Sequence, residues 1–439
     1  MKIKRLYFDG YKNLHDLEIN FEEGSTVTAI IGNNGSGKSN VLEALTIVFA
    51  AKYNNEPIPF KYDVIFCIDE DEFRISNLEG DIFLKGKKKV PKSEYAKCLP
   101  RGIFLYYCGE TDRLQKMALS YVDKAFEKAL KTDHEIAIKY LTYTGLREFP
   151  PAILSNAVFN NSTFERVCDL IGIENIGAPI VFHFHRPGSW GKTAPADSFW
   201  NARGTVATLI GKLLEAGEKT VIDKDHVDLQ ISTLLATKLD AVNPFELFIM
   251  YELLMQAGIL ERIEFDIVKQ GITISVEDLS EGEKQLAQLL CLLEATKDHR
   301  ALFLLDEFDS FLHPGWQRKF SEIVSNIEIR GQVILTTHSP LTLGKMKKEC
   351  IRILKDGEVY IPSADTYNRD ITEVLEEIMD VGKRPVDVEG AIRDFRNAAV
   401  HGKNEIAHVH LEELKQLLSP EDPFWVTAEY LLARLERTR

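Results

Sequence analysis

Apolar positions change period several times along the chain, and those changes predict its layout. Ile3, Leu6 and Phe8, then Leu14, Leu17, Ile19 and Phe21, alternate as two strands joined by a polar turn. Val27-Thr28-Ala29-Ile30-Ile31 is an unbroken apolar, β-branched run, which predicts a buried strand. Residues 62–68 and 72–84 predict further short strands, and Ile103-Phe104-Leu105-Tyr106-Tyr107 another buried one. Then the texture changes. Residues 114–140, 162–171, 204–217 and 226–258 carry helix-period spacing, interrupted at Pro150-Pro151 and over 183–195. This predicts a mostly helical insertion, and because no a/d heptad persists, it excludes a long coiled-coil arm.

Strand alternation returns at 262–268 and 272–276, a hairpin around Lys269-Gln270-Gly271. Ser280 and Glu283 form a Ser-x-x-Glu capping box opening a helix whose apolar face includes Leu286, Leu289, Leu290 and Leu293. Ala301-Leu302-Phe303-Leu304-Leu305 is a buried strand running into Asp306-Glu307, and Val333-Ile334-Leu335-Thr336-Thr337-His338 is another ending in a histidine. A hairpin turns through Asp356-Gly357, a type I′ signal. Helical patterns then occupy 370–380, 385–400, 404–418 and 422–437. The expected domains are 1–113 and 261–362 as two lobes of one α/β domain, 114–260 as the insertion, and 363–439 as a C-terminal helical module.

The chemistry starts where the first buried strand ends. Gly32-Asn33-Asn34-Gly35-Ser36-Gly37-Lys38-Ser39 fits G-x-x-x-x-G-K-[ST], and Asn40-Val41-Leu42-Glu43-Ala44-Leu45 opens a helix after it. A glycine loop lets successive backbone N–H groups converge on an anion, and the helix dipole adds positive charge there. Lys38 is placed to reach the β- and γ-phosphates, and the Ser39 hydroxyl to bind Mg²⁺. A glycine-rich turn would match this spacing by chance in only about one or two chains in a hundred of this length. The loop therefore predicts a nucleoside triphosphate site. Singly, the other stretches say less: Ser280 is a good helix cap, Asp306-Glu307 is a common dipeptide, and a lone His338 is more often structural.

Composition narrows the class. The 439 residues are 45% hydrophobic and 27% charged, as in a globular protein, with a formal net charge of −14. Such a balance excludes a uniform DNA-coating surface, because duplex affinity comes largely from phosphate neutralisation. DNA contact is confined to local basic patches such as Lys85-Gly86-Lys87-Lys88-Lys89 and Lys345, Lys347 and Lys348. The six cysteines form no C-x-x-C pair, which argues against zinc and for a reducing compartment. No apolar run has the length of a membrane span, so the protein is expected in the cytoplasm, with no membrane partner.

In this order, the glycine loop, Leu279-Ser280-Glu281-Gly282-Glu283, Leu304-Leu305-Asp306-Glu307 and Thr336-Thr337-His338-Ser339-Pro340 form one constellation. It resembles the ABC-type ATPase head of the SMC, RecF and overcoming-lysogenization-defect group, as do Tyr7-Phe8-Asp9-Gly10-Tyr11-Lys12-Asn13-Leu14 and Leu312-His313-Pro314. The resemblance covers roughly residues 1–70 and 262–360. It implies two heads joined head-to-tail around two ATPs, as a homodimer or within a higher oligomer. Asn33, Asn34, Gly35, Ser36, Gly37, Lys38 and Ser39 are then the nucleotide loop. Ser280 and Gly282 contact the γ-phosphate held by the partner's loop. Asp306 supports Mg²⁺ with Ser39, Glu307 polarises the attacking water, and His338 senses the γ-phosphate. Gln115 is the candidate for the glutamine that couples the insertion to the metal.

Within that group the chain lacks a zinc hook and an HNH signature. Val388-Glu389-Gly390 echoes the opening of a TOPRIM domain, but helical patterns and no later D-x-D follow it. No nuclease is expected in this chain. The tail, with Thr366-Tyr367-Asn368-Arg369-Asp370-Ile371, Leu375-Glu376-Glu377-Ile378-Met379 and Arg384-Pro385, resembles stand-alone defence ATPases such as the PtuA subunit of Septu systems and retron-associated ATPases. Such proteins work beside a small HNH endonuclease. The resemblance implies a regulatory ATPase controlling a separate effector nuclease. An ATP-gated DNA clamp of the RecF kind is the alternative, and a transporter ATPase a more distant one.

Overall fold

The helix Lys38–Asn54 is buried around nearly its whole circumference and shares one apolar core with two sheets. Its Val41, Leu42, Ala44, Leu45, Val48 and Phe49 leave no polar face, as expected of a helix enclosed on every side. In this computed structural model residues 1–100, 102–107, 140–143, 145–160, 162–188, 190, 194–327, 329–369, 373–374 and 384–437 are described. The chain divides into two units, Met1–Tyr367 and Asn368–Arg439.

The first unit is built on a seven-stranded sheet. Its order is Glu358–Tyr360, Ile351–Lys355, Val27–Ile31, Gln332–Thr336, Ala301–Asp306, Gly102–Tyr107, Tyr140–Tyr143. Every neighbouring pair is parallel except the first. Val27–Ile31, Gln332–Thr336 and Ala301–Asp306 are buried at every position, which explains their unbroken apolar runs. The other sheet of this core is antiparallel, in the order Leu17–Asn20, Lys2–Asp9, Lys61–Ile68, Asp71–Ser76, Ile82–Lys85, Lys88–Lys89. Both turn residues Asp356 and Gly357 have positive φ, 54° and 81°, as a type I′ hairpin requires. The expected α/β head is present, with helices at the C-terminus.

The insertion needs correcting, because it is mixed. It contributes the helices Phe149–Phe159, Ser162–Ile171, Gly204–Ala216 and Pro244–Gln256. It also builds most of a four-stranded antiparallel sheet, ordered Glu218–Val221, His226–Ile231, Ile180–His185, Leu260–Glu264. In His226–Ile231 the residues Val227, Leu229 and Ile231 are buried and their neighbours face outward. Read together with the helix beyond it, that six-residue period of two was hidden. Pro150 and Pro151 do not break a helix; they lie in the first turn of Phe149–Phe159, where a missing N–H costs nothing. Gln115 lies outside the described residues. Among the described residues no helix is long and apolar enough to cross a membrane.

The helix Glu281–Ala295 packs against Phe149–Phe159 and Ser162–Ile171 and so ties the insertion to the head. Gln288 on this helix donates to the Gly145 carbonyl at 2.8 Å, and the Gly145 N–H donates to Glu148 at 2.7 Å. The second unit holds the helices Val386–Val400, Asn404–Leu417 and Phe424–Arg437 around Phe395, Ala407, Leu414 and Ala428. Both guanidinium nitrogens of Arg384 reach Asp422 at 2.8 Å, and this fork holds the Asp422 carboxyl down at about 2. Of the expected helix over 370–380, only residues 373 and 374 are described.

Candidate active site

Ile30 pairs with Thr336, and Leu335 with Leu305, so three parallel strands end level with one another. The loops that leave them therefore share one edge of the sheet, where open α/β sheets bind ligands. Thr337-His338 leaves the central strand Gln332–Thr336, and the glycine loop and Asp306-Glu307 leave its two neighbours.

The loop has specific demands at two glycines. Gly32 has φ 153°, and a Cβ there would overlap the Leu354 carbonyl. Gly37, the N-cap of Lys38–Asn54, has φ 108°, and its Cβ would lie 2.9 Å from Asn13 Oδ1. Asn13 also clamps the loop from outside: its Nδ2 donates to the Gly35 carbonyl at 2.8 Å and its Oδ1 accepts from Asn40 at 2.6 Å. Lys38 Nζ donates to the carbonyls of Gly32 and Asn33 at 2.9 and 3.2 Å. Burial pulls the Lys38 pKa down, opposed by the nearby carboxylates of Glu307 and Asp306.

Asp306 is 1% exposed and has its pKa raised, chiefly by burial, against hydrogen bonds from Thr336 and Ser39. Its Oδ2 is buried without a hydrogen-bond partner among the described residues, as is Ser36 Oγ. Buried oxygens left unpaired in this way mark a place for another donor or a cation. Asp306, with the Ser39 hydroxyl against it, offers the hard oxygens that suit Mg²⁺. Thr336, fully buried, is the hinge of the site. Its hydroxyl donates to Asp306 Oδ1 and accepts from the Glu307 N–H at 3.0 Å, fixing Glu307 at φ 49°. Left-handed backbone at a non-glycine residue costs energy and persists where its surroundings impose it. His338 has its pKa lowered, first by burial and then by the charge of Lys38, while Glu307 and Asp309 pull it the other way. Lys38, Asp306, Glu307 and His338 thus meet at one place.

Ser280 and Gly282 sit differently. The Ser280 N–H donates to Glu283 at 3.1 Å, its hydroxyl accepts from the Glu283 N–H at 3.4 Å, and the capping box is complete. No hydrogen bond among the described residues joins either to the glycine loop of the same chain. Gly282 is buried, and a Cβ on it would stand 2.5 Å from the Phe311 carbonyl oxygen. Several further residues escaped the sequence reading. Asp309 is buried and accepts hydrogen bonds from Thr337 and, at 2.6 Å, from Thr342. Gln285 donates to the Phe308 carbonyl, and Gln317 links Asp309 and Leu312 to Ser339. Of these, Thr337 and Ser339 had a signal, inside the Thr336-to-Pro340 stretch already singled out, as had Asn13 inside Tyr7 to Leu14.

Residues 1–174 match the family model described as AAA ATPase domain, and residues 209–344 the model described as AAA domain, putative AbiEii toxin, Type IV TA system. The chain is 22% identical to Retron Vc95 probable ATPase of Vibrio cholerae serotype O1 biovar El Tor, over 92% of its own length and 85% of that protein's. The chain is homologous to the retron ATPases and carries matches to AAA-type ATPase models over two parts of its length. It is also 28% identical to Retron Ec83 probable ATPase of Escherichia coli and 30% identical to Septu protein PtuA of Bacillus thuringiensis. These two matches span 37% and 29% of this chain, and about a third of each relative. Among solved structures, the SMC head bound to the C-winged helix domain of ScpA aligns at 20% identity over 83% of this chain and 98% of that one. Its TM-score of 0.38 is too low to carry any argument.

Proposed function

We propose that this homologue of the retron ATPases binds and hydrolyses ATP with Mg²⁺, and that two copies of its head close around the nucleotides. The observation that carries this is the meeting of Lys38, Asp306, Glu307 and His338, with Asp306 Oδ2 buried and unpaired among the described residues. In this reading the backbone of 33–37 and Lys38 cradle the phosphates, and Ser39 and Asp306 hold the cation. Glu307, held by Thr336, orients water, and His338 lies against the terminal phosphate. Catalysis here is positioning and charge neutralisation rather than covalent chemistry. Among the described residues no hydrogen bond joins Ser280 or Gly282 to their own glycine loop, which leaves them available to the loop of a second copy. The capped helix then offers its N-terminal N–H groups and dipole to that phosphate.

The homology supports a regulatory role in a cytoplasmic defence complex, in which nucleotide state controls a separate effector nuclease of the HNH type. Two experiments test the parts. Lys38→Ala abolishes ATP binding, and Glu307→Gln slows hydrolysis while trapping a nucleotide-bound dimer, read by turnover and light scattering. Unchanged turnover in both variants overturns the site. Copurification with the product of the adjacent reading frame tests the complex; a chain that stays alone and itself cuts DNA overturns that role. A RecF-like clamp is favoured by the 27% identity to DNA replication and repair protein RecF of Clostridium acetobutylicum over 38% of this chain. It would instead show ATP-dependent duplex binding with a steep salt dependence.

A further inference from the structure

The basic residues Lys345 and Lys347 belong to none of this machinery. They line a cavity of about 380 Å³ at the other end of the parallel sheet, where the glycine-loop strand begins. Its floor is Ser25 and Thr26, and its walls include Asn326, at the end of helix Pro314–Ser325, and the partly exposed ring of Tyr367. That volume falls at the small end of ligand pockets, which run to about 300–1,000 Å³.

Three features point to one class of ligand. Two ammonium groups, Lys345 and Lys347, are exposed at the rim of a protein whose net charge is −14. Lys2 lies behind the lining residues Ser25 and Thr26, its Nζ donating to the Ser25 carbonyl at 3.0 Å and to Thr26 Oγ1 at 3.2 Å, and burial pulls its pKa down to about 8. Glu322 is the one lining carboxylate. Next, Tyr367 is 49% exposed, and its ring already carries Lys345 Nζ 5.7 Å from its centroid. A phenol ring half open to solvent and beside a cation suits a flat ring bearing an anion, because stacking and charge pairing are then satisfied together. Finally, the wall is held firmly: the buried Thr366 hydroxyl donates to the Met346 carbonyl, next to Tyr367. The Asn326 amide offers a donor and an acceptor for the edge of such a ring.

We propose that this cavity binds a nucleoside monophosphate, with its base on Tyr367 and its phosphate between Lys345 and Lys347. The site is separate from the triphosphate loop, and the proposal stands whether or not the reading of that loop is right. Lys345 follows His338 by seven residues, through the short helix Pro340–Leu343, so the two sites share one segment of chain.

The test uses the full chain carrying Lys38→Ala, which removes the triphosphate loop's lysine, titrated by calorimetry with AMP, GMP, CMP and UMP in turn. Inorganic phosphate and adenosine serve as partial probes. At least one mononucleotide is expected to bind with a Kd below about 1 mM, tighter than phosphate or adenosine. Adding Lys345→Glu or Tyr367→Ala should each weaken that binding at least about tenfold, with no change in melting temperature because both side chains lie at the surface. No binding by any of the four below about 1 mM overturns the proposal. So does phosphate binding as tightly as the mononucleotide, or binding that survives both substitutions.

Discussion

Gly282→Ala separates two reasons for a glycine at one position. In a nucleotide-sandwich reading Gly282 serves a phosphate on another copy of the chain. In the single chain it already has a task, because an added Cβ would stand 2.5 Å from the Phe311 carbonyl oxygen. Ordinary contact begins at 3.4 Å, so the helix Glu281–Ala295 and the segment at Phe311 must part by about 0.9 Å. The neighbour is backbone, and it is held by the Gln285 bond to Phe308 and the Gln317 bonds to Asp309 and Leu312, so it yields poorly. Overpacking of this kind costs about 1–3 kcal/mol, less whatever helix propensity alanine returns. The loss should appear without nucleotide, as a lower urea midpoint in a dilute sample. Because the displaced segment follows Glu307, turnover should also fall, by up to about 100-fold for a shift approaching 1 Å. Gly390→Ala is the control: it lies in a helix with open space around its Cβ and should be neutral or mildly stabilising. An apo stability equal to that of the unaltered chain would refute the intrachain role and leave only the contact in trans.

Two further predictions concern buried polar groups. Thr336→Val removes the hydroxyl shared by Asp306 and the Glu307 N–H. A hydrogen bond to a charged group is worth about 1.5–3 kcal/mol, so turnover should fall about 10- to 150-fold with little change in KM for ATP, and Thr336→Ser should restore most of it; an equal effect of both substitutions would count against the assignment. Glu252, on the helix Pro244–Gln256, is 2% exposed, bonded to Gln256 at 2.9 Å, and under the charge of Glu148. Burial first, then that charge, pushes its carboxyl up to about 8. An acid raised in the folded state holds a proton that the unfolded chain has released. Stability should therefore fall as pH rises from the ordinary carboxylate range to about 8, by about 1.4 kcal/mol per pH unit for one proton. Urea midpoints between pH 5 and 8 should flatten in Glu252→Gln; a slope the same as in the unaltered chain would show the pair does not hold that proton.

The buried strands, the glycine loop and the capped helix were legible because each depends on residues close together in sequence. A strand buried on both faces must be apolar throughout, a phosphate loop must be rich in glycine, and a capping box spans four residues. The residues of the candidate site could be named for the same reason. The insertion was less legible, since a six-residue strand such as His226–Ile231 gives only three period-two positions, too few to stand apart from the adjoining helix. What the tertiary structure alone decided is which distant residues meet. Strand pairing across some 300 residues puts Ile30 beside Thr336, while contacts spanning 30 and 22 residues put Thr336 against Asp306 and Asn13 against the loop of Gly35. Phe311 crosses over Gly282 for the same reason. A hydroxyl or a carbonyl carries no mark of its partner until packing leaves it only one, because in the unfolded chain water serves equally well.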